Sequence, residues 1–236
     1  MEDSEGLDRT IEEGDVALEE GDFEGALQCF EEALAIDPEH WGAALGRVEA
    51  LLSLWRTDDA LQLLRSMTPP EDEEDDPDRA DLEGRVLEAR GEFAPADQLF
   101  RLASELDPEN FPPPIRMSEG DFRSILDKVL ESMPDVILEA VAEVPVLVTP
   151  KPAREIAERA PHITPDLLGL FVGTPIGEKH SAPSGYADVV MLFQRNLERA
   201  GRSRAEVSKE IKITLLHEYG HYLGFDEEEL EHLGLA

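Results

Sequence analysis

A stretch near the start of the chain recurs with a spacing of 70 residues. The sequence GDFEGALQCFEEALAIDPE at 21–39 aligns with GEFAPADQLFRLASELDPE at 91–109, and nine of the 19 positions are identical. A middle copy lies between them, because Ala60 follows Ala26 by 34 residues and precedes Ala96 by 36. A period of about 34 residues predicts a stack of similar helical units, each of which buries its apolar face against its neighbours.

The first and third copies place a small residue first, a large apolar residue four positions later and a small residue three after that, as in Ala26, Phe30 and Ala33. The middle copy has Leu64 and Met67 in the positions of Phe30 and Ala33. This spacing resembles the tetratricopeptide repeat, a pair of antiparallel helices. Small residues such as Gly14 let the paired helices approach closely, and Phe30 is expected to fill the space between neighbouring units. Three units predict an all-α solenoid over residues 1–110, with a groove for a peptide or partner protein.

The charge of the chain is strongly negative and unevenly distributed. Of 236 residues, 21 are Lys or Arg and 54 are Asp or Glu, and the net charge is −33. Residues 1–110 carry −25 of this charge and the remainder −8. Such a chain repels phosphate backbones and anionic lipid, so we expect neither nucleic acid nor membrane as a partner. An acidic, polar start without an apolar segment predicts a cytoplasmic protein, and the single Cys29 excludes a disulfide framework.

Two segments interrupt the helical patterns. The acidic run PPEDEEDDPD at 69–78 is too charged to bury, and it predicts a solvated loop within the repeats. The sequence ENFPPPIRMSEG contains three consecutive prolines that cannot continue a helix. We therefore place a proline-rich linker at 111–118 and a second domain at 119–236.

The C-terminal part of the chain contains the sequence SRAEVSKEIKITLLHEYGHYLGFDEEELEHLGLA. Ser203 followed by Glu206 forms a capping-box pattern, and Gly224 is suited to a left-handed residue just after a helix. These signals predict a helix over 204–223, which would be about 30 Å long.

Two histidines near the end of this predicted helix are four residues apart. His217 and His221 therefore project from one face and can bind the same Zn²⁺ ion. Glu218 is offset by about 100° and reaches past the metal towards a water molecule. Gly224 turns the chain so that a residue just beyond it can reach the same ion.

The extended motif HEYGHYLGFDE resembles that of the zincin metallopeptidases, in which His or Asp completes the metal site at the last position. The order of patterns over about 119–236 is similar to the bacterial mini-zincin family. The expected acid position holds Glu227, so Glu227 is the favoured third ligand and Asp226 the main alternative. The remaining candidates for that ligand are Glu228, Glu229 and His232.

The resemblance implies an α+β chain, in which an all-α repeat solenoid precedes a small α/β zincin-like domain that binds one Zn²⁺. It implies a zinc metalloendopeptidase in which Glu218 is the catalytic acid–base group and the repeats recruit a protein substrate or partner. The alternatives are a zincin-like module without hydrolytic activity in a repeat-based interaction scaffold, and a purely structural zinc site.

Further residues of the second half are candidates for substrate contacts. The apolar sequence ADVVMLFQ at 187–194 predicts a strand, which is either a sheet edge that binds substrate backbone or an ordinary buried strand. Tyr186, His180 and Tyr222 are candidates for oxyanion stabilisation beyond the metal, although each has a simpler structural interpretation.

Overall fold

The structure is a computed structural model that describes residues 2–69, 76–157, 163–178 and 188–235. Its helices and strands occur in the following order: α1 Glu2–Glu19, α2 Phe23–Ile36, α3 Trp41–Ser53, α4 Thr57–Ser66, α5 Pro77–Ala89, α6 Phe93–Leu106, α7 Glu119–Glu131, α8 Asp135–Ala140, β1 Val146–Thr149, α9 Arg154–Ala157, β2 Gly169–Val172, β3 Val189–Phe193, α10 Gln194–Ala200, α11 Arg204–Leu223 and α12 Glu227–His232. A short 3-10 turn at Ile176–Glu178 follows β2. None of the helices in these described ranges is long and apolar enough to cross a membrane.

The chain divides into two compact units. The first unit comprises Met1–Pro113 together with Pro152–Asp166, and the second comprises Pro114–Lys151 together with Leu167–Ala236. Residues 152–166 therefore group with the helical repeats, although they lie between two strands of the second unit in the sequence. The all-α repeat region and the small α/β domain confirm the predicted α+β class.

The first unit is built on glycines that adjoin aromatic rings. Phe30 is fully buried, and a Cβ atom placed on Gly14 or Gly46 would lie 2.9 or 2.5 Å from a carbon of its ring. Phe100 contacts Gly84 in the same way, with a corresponding distance of 2.7 Å. A side chain at these glycines would force the helices apart, so the small residues set the helix spacing as predicted.

The turn inside each helical pair contains a residue with positive φ. This residue is Gly21 with φ 77° in the first pair and Gly91 with φ 78° in the third. The middle pair has Trp55 at the corresponding place, with φ 59°. Glycine adopts this conformation without a steric penalty, whereas a bulky residue there costs about 1–3 kcal/mol. The surroundings of Trp55 must therefore compensate for its backbone strain.

The second unit packs helices against a small mixed sheet. Within the described residues the strand order is β1-β3-β2, with β1 parallel and β2 antiparallel to β3. Val146 pairs with Val190, and Phe171 pairs with the same residue from the other side. Buried apolar side chains from α7, β3 and α11 form the core of the unit: Phe122, Leu126, Val190, Leu192, Ile211 and Leu215.

The position of β3 decides between the two interpretations of the sequence at 187–194. β3 has hydrogen-bonded neighbours on both sides, so its backbone cannot accept another strand. The expectation that this segment is a substrate-binding sheet edge is therefore wrong, and it is an interior strand. The apolar composition that predicted a strand fits this position, because Val190, Leu192 and Phe193 are fully buried.

Candidate metal centre

Helix α11 begins and ends where its local signals predict. The Ser203 side chain accepts a hydrogen bond from the Glu206 N–H at 3.2 Å, and Gly224 has φ 98° in the left-handed region. The Glu206 carboxylate accepts the N–H of Arg202 at 2.8 Å, one residue before the partner expected for a capping box. The helix therefore covers Arg204–Leu223 and carries both histidines of the motif in its last two turns.

The two histidine rings converge at one point. The Nε2 atoms of His217 and His221 lie 2.9 Å apart, and their ring planes are nearly perpendicular at 85°. Both side chains are partly exposed, with 21% and 27% of their surface accessible. The four-residue spacing thus produces the shared face that the sequence predicted.

Backbone carbonyl groups orient both histidine rings through their Nδ1 atoms, on the side of each ring opposite Nε2. The Nδ1 atom of His217 lies 2.8 Å from the Leu235 carbonyl oxygen, and the Nδ1 atom of His221 lies 3.3 Å from that of Phe225. A carbonyl oxygen only accepts, so a hydrogen bond here requires the proton on Nδ1. Each Nε2 atom is then left with a lone pair that can bind a metal, which is the usual arrangement behind a metal-binding histidine.

Glu227 is the acidic residue that the structure brings to the two rings. Its carboxylate oxygens lie 3.3 Å from His221 Nε2 and 3.7 Å from His217 Nε2. The Asp226 side chain instead caps α12 by accepting the Glu229 N–H at 2.9 Å, while the Glu229 carboxylate accepts the Asp226 N–H. The His232 ring is also engaged elsewhere, since its Nδ1 atom lies 2.8 Å from the Glu228 carbonyl oxygen.

A glycine within the motif brings α12 back onto α11. A Cβ atom on Gly220 would lie 2.3 Å from the Leu230 side chain, which is fully buried. Gly224 supplies the turn, and Gly220 supplies the space that lets Leu230 pack on the helix. Glu227, at the start of α12, is thereby held beside the histidines.

Glu218 lies beneath the histidines in the interior of the unit. Only 6% of the residue is exposed, and its Oε2 atom accepts the Phe171 N–H from strand β2 at 2.6 Å. Gly169 makes the approach of the strand possible, because a Cβ atom there would lie 3.1 Å from Glu218 Cγ and 2.4 Å from Thr214. The pKa of Glu218 is raised to about 7, chiefly by burial and to a smaller extent by the Glu227 carboxylate, against the opposing effects of His217 and the Phe171 N–H.

The three converging groups fit a tetrahedral zinc ion in type and spacing. Two imidazole nitrogens and a carboxylate oxygen are characteristic of catalytic zinc sites with one open position. Ligand atoms about 2.0–2.1 Å from a tetrahedral ion lie about 3.3 Å from one another. The distances of 2.9, 3.3 and 3.7 Å bracket this value. Across the described residues, His217, His221 and Glu227 are the group that could hold a metal ion.

The other site candidates have different outcomes. Tyr222 is 4% exposed, and its ring meets the Phe171 ring edge-on at a centroid distance of 5.7 Å, so it packs in the core. Tyr186 and His180 lie outside the described residues. Sequence reasoning missed the carbonyl of Leu235 and the N–H of Phe171, because backbone groups leave no signal in the residue types.

Comparisons with known proteins agree with the two parts of the structure. Residues 17–86 match the family model of the tetratricopeptide repeat, and residues 141–235 match the family model of the zincin-like metallopeptidase. No curated protein matches the chain. The second match contains every element of the metal centre, from strand β1 to the Leu235 carbonyl. The chain therefore carries a tetratricopeptide repeat region followed by a zincin-like metallopeptidase domain.

Proposed function

We propose that this protein is a zinc-dependent endopeptidase. Residues 119–236 form the hydrolytic domain, residues 1–110 recruit a peptide or protein substrate, and residues 111–118 connect the two. The observation that carries the proposal is the convergence of His217, His221 and Glu227 beside a buried glutamate within a zincin-like match.

The proposed ligands of one zinc ion are His217 Nε2, His221 Nε2 and a carboxylate oxygen of Glu227. When bound, the zinc ion supplies Lewis-acid polarisation of a peptide carbonyl and lowers the pKa of a water molecule. The Leu235 carbonyl fixes the His217 ring in the tautomer that this role requires. Leu230, packed on Gly220, keeps Glu227 within reach.

Glu218 is the proposed proton carrier of the reaction. Its Oε2 atom is occupied by the Phe171 N–H, which leaves Oε1 to accept the proton of the attacking water and to deliver it to the leaving nitrogen. Burial raises the pKa of the Glu218 carboxyl group, so it takes up a proton more readily than an exposed carboxylate does. The hydrogen bond to the strand prevents rotation of the carboxylate during these transfers.

The repeat region supports a role in substrate recruitment. A depression of about 720 Å³ is formed by the ends of α2, α3 and α4 and the following loop. Its apolar walls include Leu34, Leu63 and Met67, and Arg47 at its rim pairs with Glu31 at 3.0 Å. Because residues 1–110 carry a net charge of −25, the proposed occupant is a basic peptide segment with apolar side chains.

Metal content and hydrolysis of the purified full-length chain test the proposal. We expect one zinc equivalent and cleavage of an unfolded protein substrate. Glu218→Gln should retain the zinc and reduce hydrolysis by about 10²–10⁴-fold, since the amide keeps its contact with Phe171 but cannot transfer a proton. Glu210→Gln on the same helix is the matched control and should change neither quantity. Undiminished hydrolysis by Glu218→Gln would contradict the assigned role.

Recruitment is tested separately by fluorescence anisotropy. A labelled peptide of alternating Lys and Leu should bind more tightly than one of alternating Glu and Leu of the same length. The difference should shrink as salt is added, because added ions screen the attraction. Equal binding of both peptides would remove the electrostatic basis of the proposed recruitment.

A second candidate function is an interaction scaffold whose zincin-like domain binds metal without turnover. The burial of Glu218 favours it, since only 6% of the residue is exposed and its carboxylate is already bonded to the strand. One zinc equivalent without cleavage of casein-like substrates, together with tight binding of a basic peptide, would support this function. Cleavage that disappears in Glu218→Gln would exclude it.

A further inference from the structure

Trp55, in the middle helical pair of the repeat region, has a backbone conformation that is unfavourable for its residue type. It occupies the turn position that is glycine in the first and third helical pairs, yet it adopts the same left-handed conformation. Only 7% of the residue is exposed, so a large aromatic side chain is buried where the other pairs have none.

The Trp55 indole binds a segment that lies far away in the sequence. Its Nε1–H donates a buried hydrogen bond of 2.7 Å to the carbonyl oxygen of Ile163, whose own exposure is 2%. Ile163 belongs to residues 152–166, which lie inside the metallopeptidase match and group with the repeats. The middle repeat therefore provides a specific donor for a carbonyl of that segment.

A charged contact holds the same segment at a second point. Arg85 on α5 donates from Nε to Asp166 Oδ2 at 2.9 Å and from Nη1 to Glu49 Oε2 on α3 at 2.6 Å. The Arg85 side chain is 19% exposed, so water screens these charges only partly. Arg85 of α5, itself paired with Glu49 of α3, thus holds the end of the segment at Asp166.

Within the second unit, one buried side chain holds the two residues that flank this segment in the sequence. The Asn196 Oδ1 atom accepts a hydrogen bond from Lys151 Nζ at 2.5 Å, and Asn196 Nδ2 donates to the Leu167 carbonyl oxygen at 2.6 Å. Strand β2 begins two residues after Leu167. Its Phe171 N–H then meets Glu218.

We infer that Trp55 and Arg85 are positioning residues for the metal centre. By holding Ile163 and Asp166, they restrain the chain that leads into β2, and β2 in turn supplies the backbone donor that orients Glu218. This inference does not rest on hydrolysis, because it concerns the order of β2 and its N–H group.

Hydrogen exchange of the full-length, metal-free chain tests the inference. Trp55→Phe keeps an aromatic ring but removes the donor and leaves the Ile163 carbonyl unsatisfied. We expect amide exchange in the peptide covering 163–172, including Phe171, to become about tenfold to hundredfold faster. Trp41→Phe is the matched control, because the Trp41 indole donates to Asp76 within the repeats. This control should leave exchange of the 163–172 peptide unchanged.

A fluorescence measurement gives a second test that leaves Trp55 in place. The chain contains two tryptophans, so Trp41→Phe makes Trp55 the sole reporter. Adding Asp166→Asn should shift its emission to longer wavelength as the segment loosens, whereas adding Asp59→Asn, which removes an exposed pair with Arg56, should not.

Two results would overturn the inference. One is equal exchange of the 163–172 peptide in Trp55→Phe and Trp41→Phe, which would make the indole contact a local feature of the repeats. The other is unchanged exchange at Phe171 together with faster exchange at Ile163, which would show that the effect ends before the strand. Both results can be obtained whether or not the protein cleaves peptides.

Discussion

Glycines create close contacts in both parts of the molecule, but for different neighbours. In the repeats, Gly46 and Gly84 make room for the rings of Phe30 and Phe100. In the metal centre, Gly220 makes room for Leu230, and Gly169 makes room for Glu218 and Thr214. The repeats thus gain buried aromatic surface. The metal centre gains polar groups in defined positions.

The difference separates what stabilises the fold from what supports the site. A defect in the repeat core removes apolar contacts and lowers the free energy of unfolding. A defect beside Gly220 displaces α12 and moves Glu227, which weakens metal binding with a smaller effect on stability. Mutations in the two regions should therefore change two different measured quantities.

The largest effect on stability is expected for Phe30→Ala. Removing this fully buried ring should lower the free energy of unfolding by about 3–5 kcal/mol, measured by urea denaturation. Zinc affinity of the folded variant should stay the same. Val16→Ala, at a position that is 46% exposed, is the control and should change stability by less than about 0.5 kcal/mol. A loss below 1 kcal/mol for Phe30→Ala would show that the helices close around the gap.

The largest effect on metal binding is expected for Glu227→Gln. Loss of the carboxylate should reduce zinc affinity by at least about 100-fold, since altered outer-shell partners alone cost 10–100-fold. Competition with a chelator of known affinity measures this change. Glu228→Gln, on the neighbouring residue, should bind zinc like the unchanged chain. Equal zinc affinities of Glu227→Gln and Glu228→Gln would show that Glu227 is not the third zinc ligand.

A somewhat smaller effect should follow removal of residues 235–236. The deletion takes away the carbonyl that orients His217 Nδ1 and leaves all three proposed ligands in place. We expect zinc affinity to fall by about 10–100-fold, as for other outer-shell partners. The same competition assay measures it. Replacing Ala236 alone keeps the Leu235 carbonyl, so the zinc affinity of that variant should be unchanged. If it loses as much affinity as the deletion, the Leu235 carbonyl is not the group that orients His217.

The smallest effect is expected for Gly220→Ala. The added methyl group pushes against the flexible end of Leu230, and the shift of α12 should weaken zinc binding about tenfold. Gly6→Ala is a helical control with no atom within 4 Å of the new methyl group. It should raise stability by about 0.5–1 kcal/mol and leave zinc affinity unchanged. An equal zinc affinity for both variants would mean that α12 adjusts without moving Glu227.

Features that depend on neighbouring residues could be predicted from the sequence. The bounds of α11 were predicted because Ser203 and Gly224 determine a helix start and end through local hydrogen bonds and backbone conformation. The shared face of His217 and His221 follows from the helical period alone. The repeat core could be predicted because small and aromatic residues recur at a fixed spacing.

Features that depend on distant segments could not be predicted in this way. The interior position of β3 depends on its pairing with β1 and β2, which its own residues do not encode. The grouping of residues 152–166 with the repeats depends on the Trp55 and Arg85 contacts, which join residues more than 80 positions apart. The presence of Trp55 at a position that is glycine in the other two pairs is visible in the sequence. Its cause, the hydrogen bond to the Ile163 carbonyl, is visible only in the structure.

The tryptophan in the middle repeat limits how freely the repeats can be exchanged. Repeats are often designed as equivalent modules, and a consensus module with glycine at position 55 would remove the strain of a left-handed tryptophan. It would also discard the indole donor that binds Ile163. A consensus third module would likewise discard Arg85, which donates to Asp166. The middle and third modules are therefore specific to the segment that contains Ile163 and Asp166.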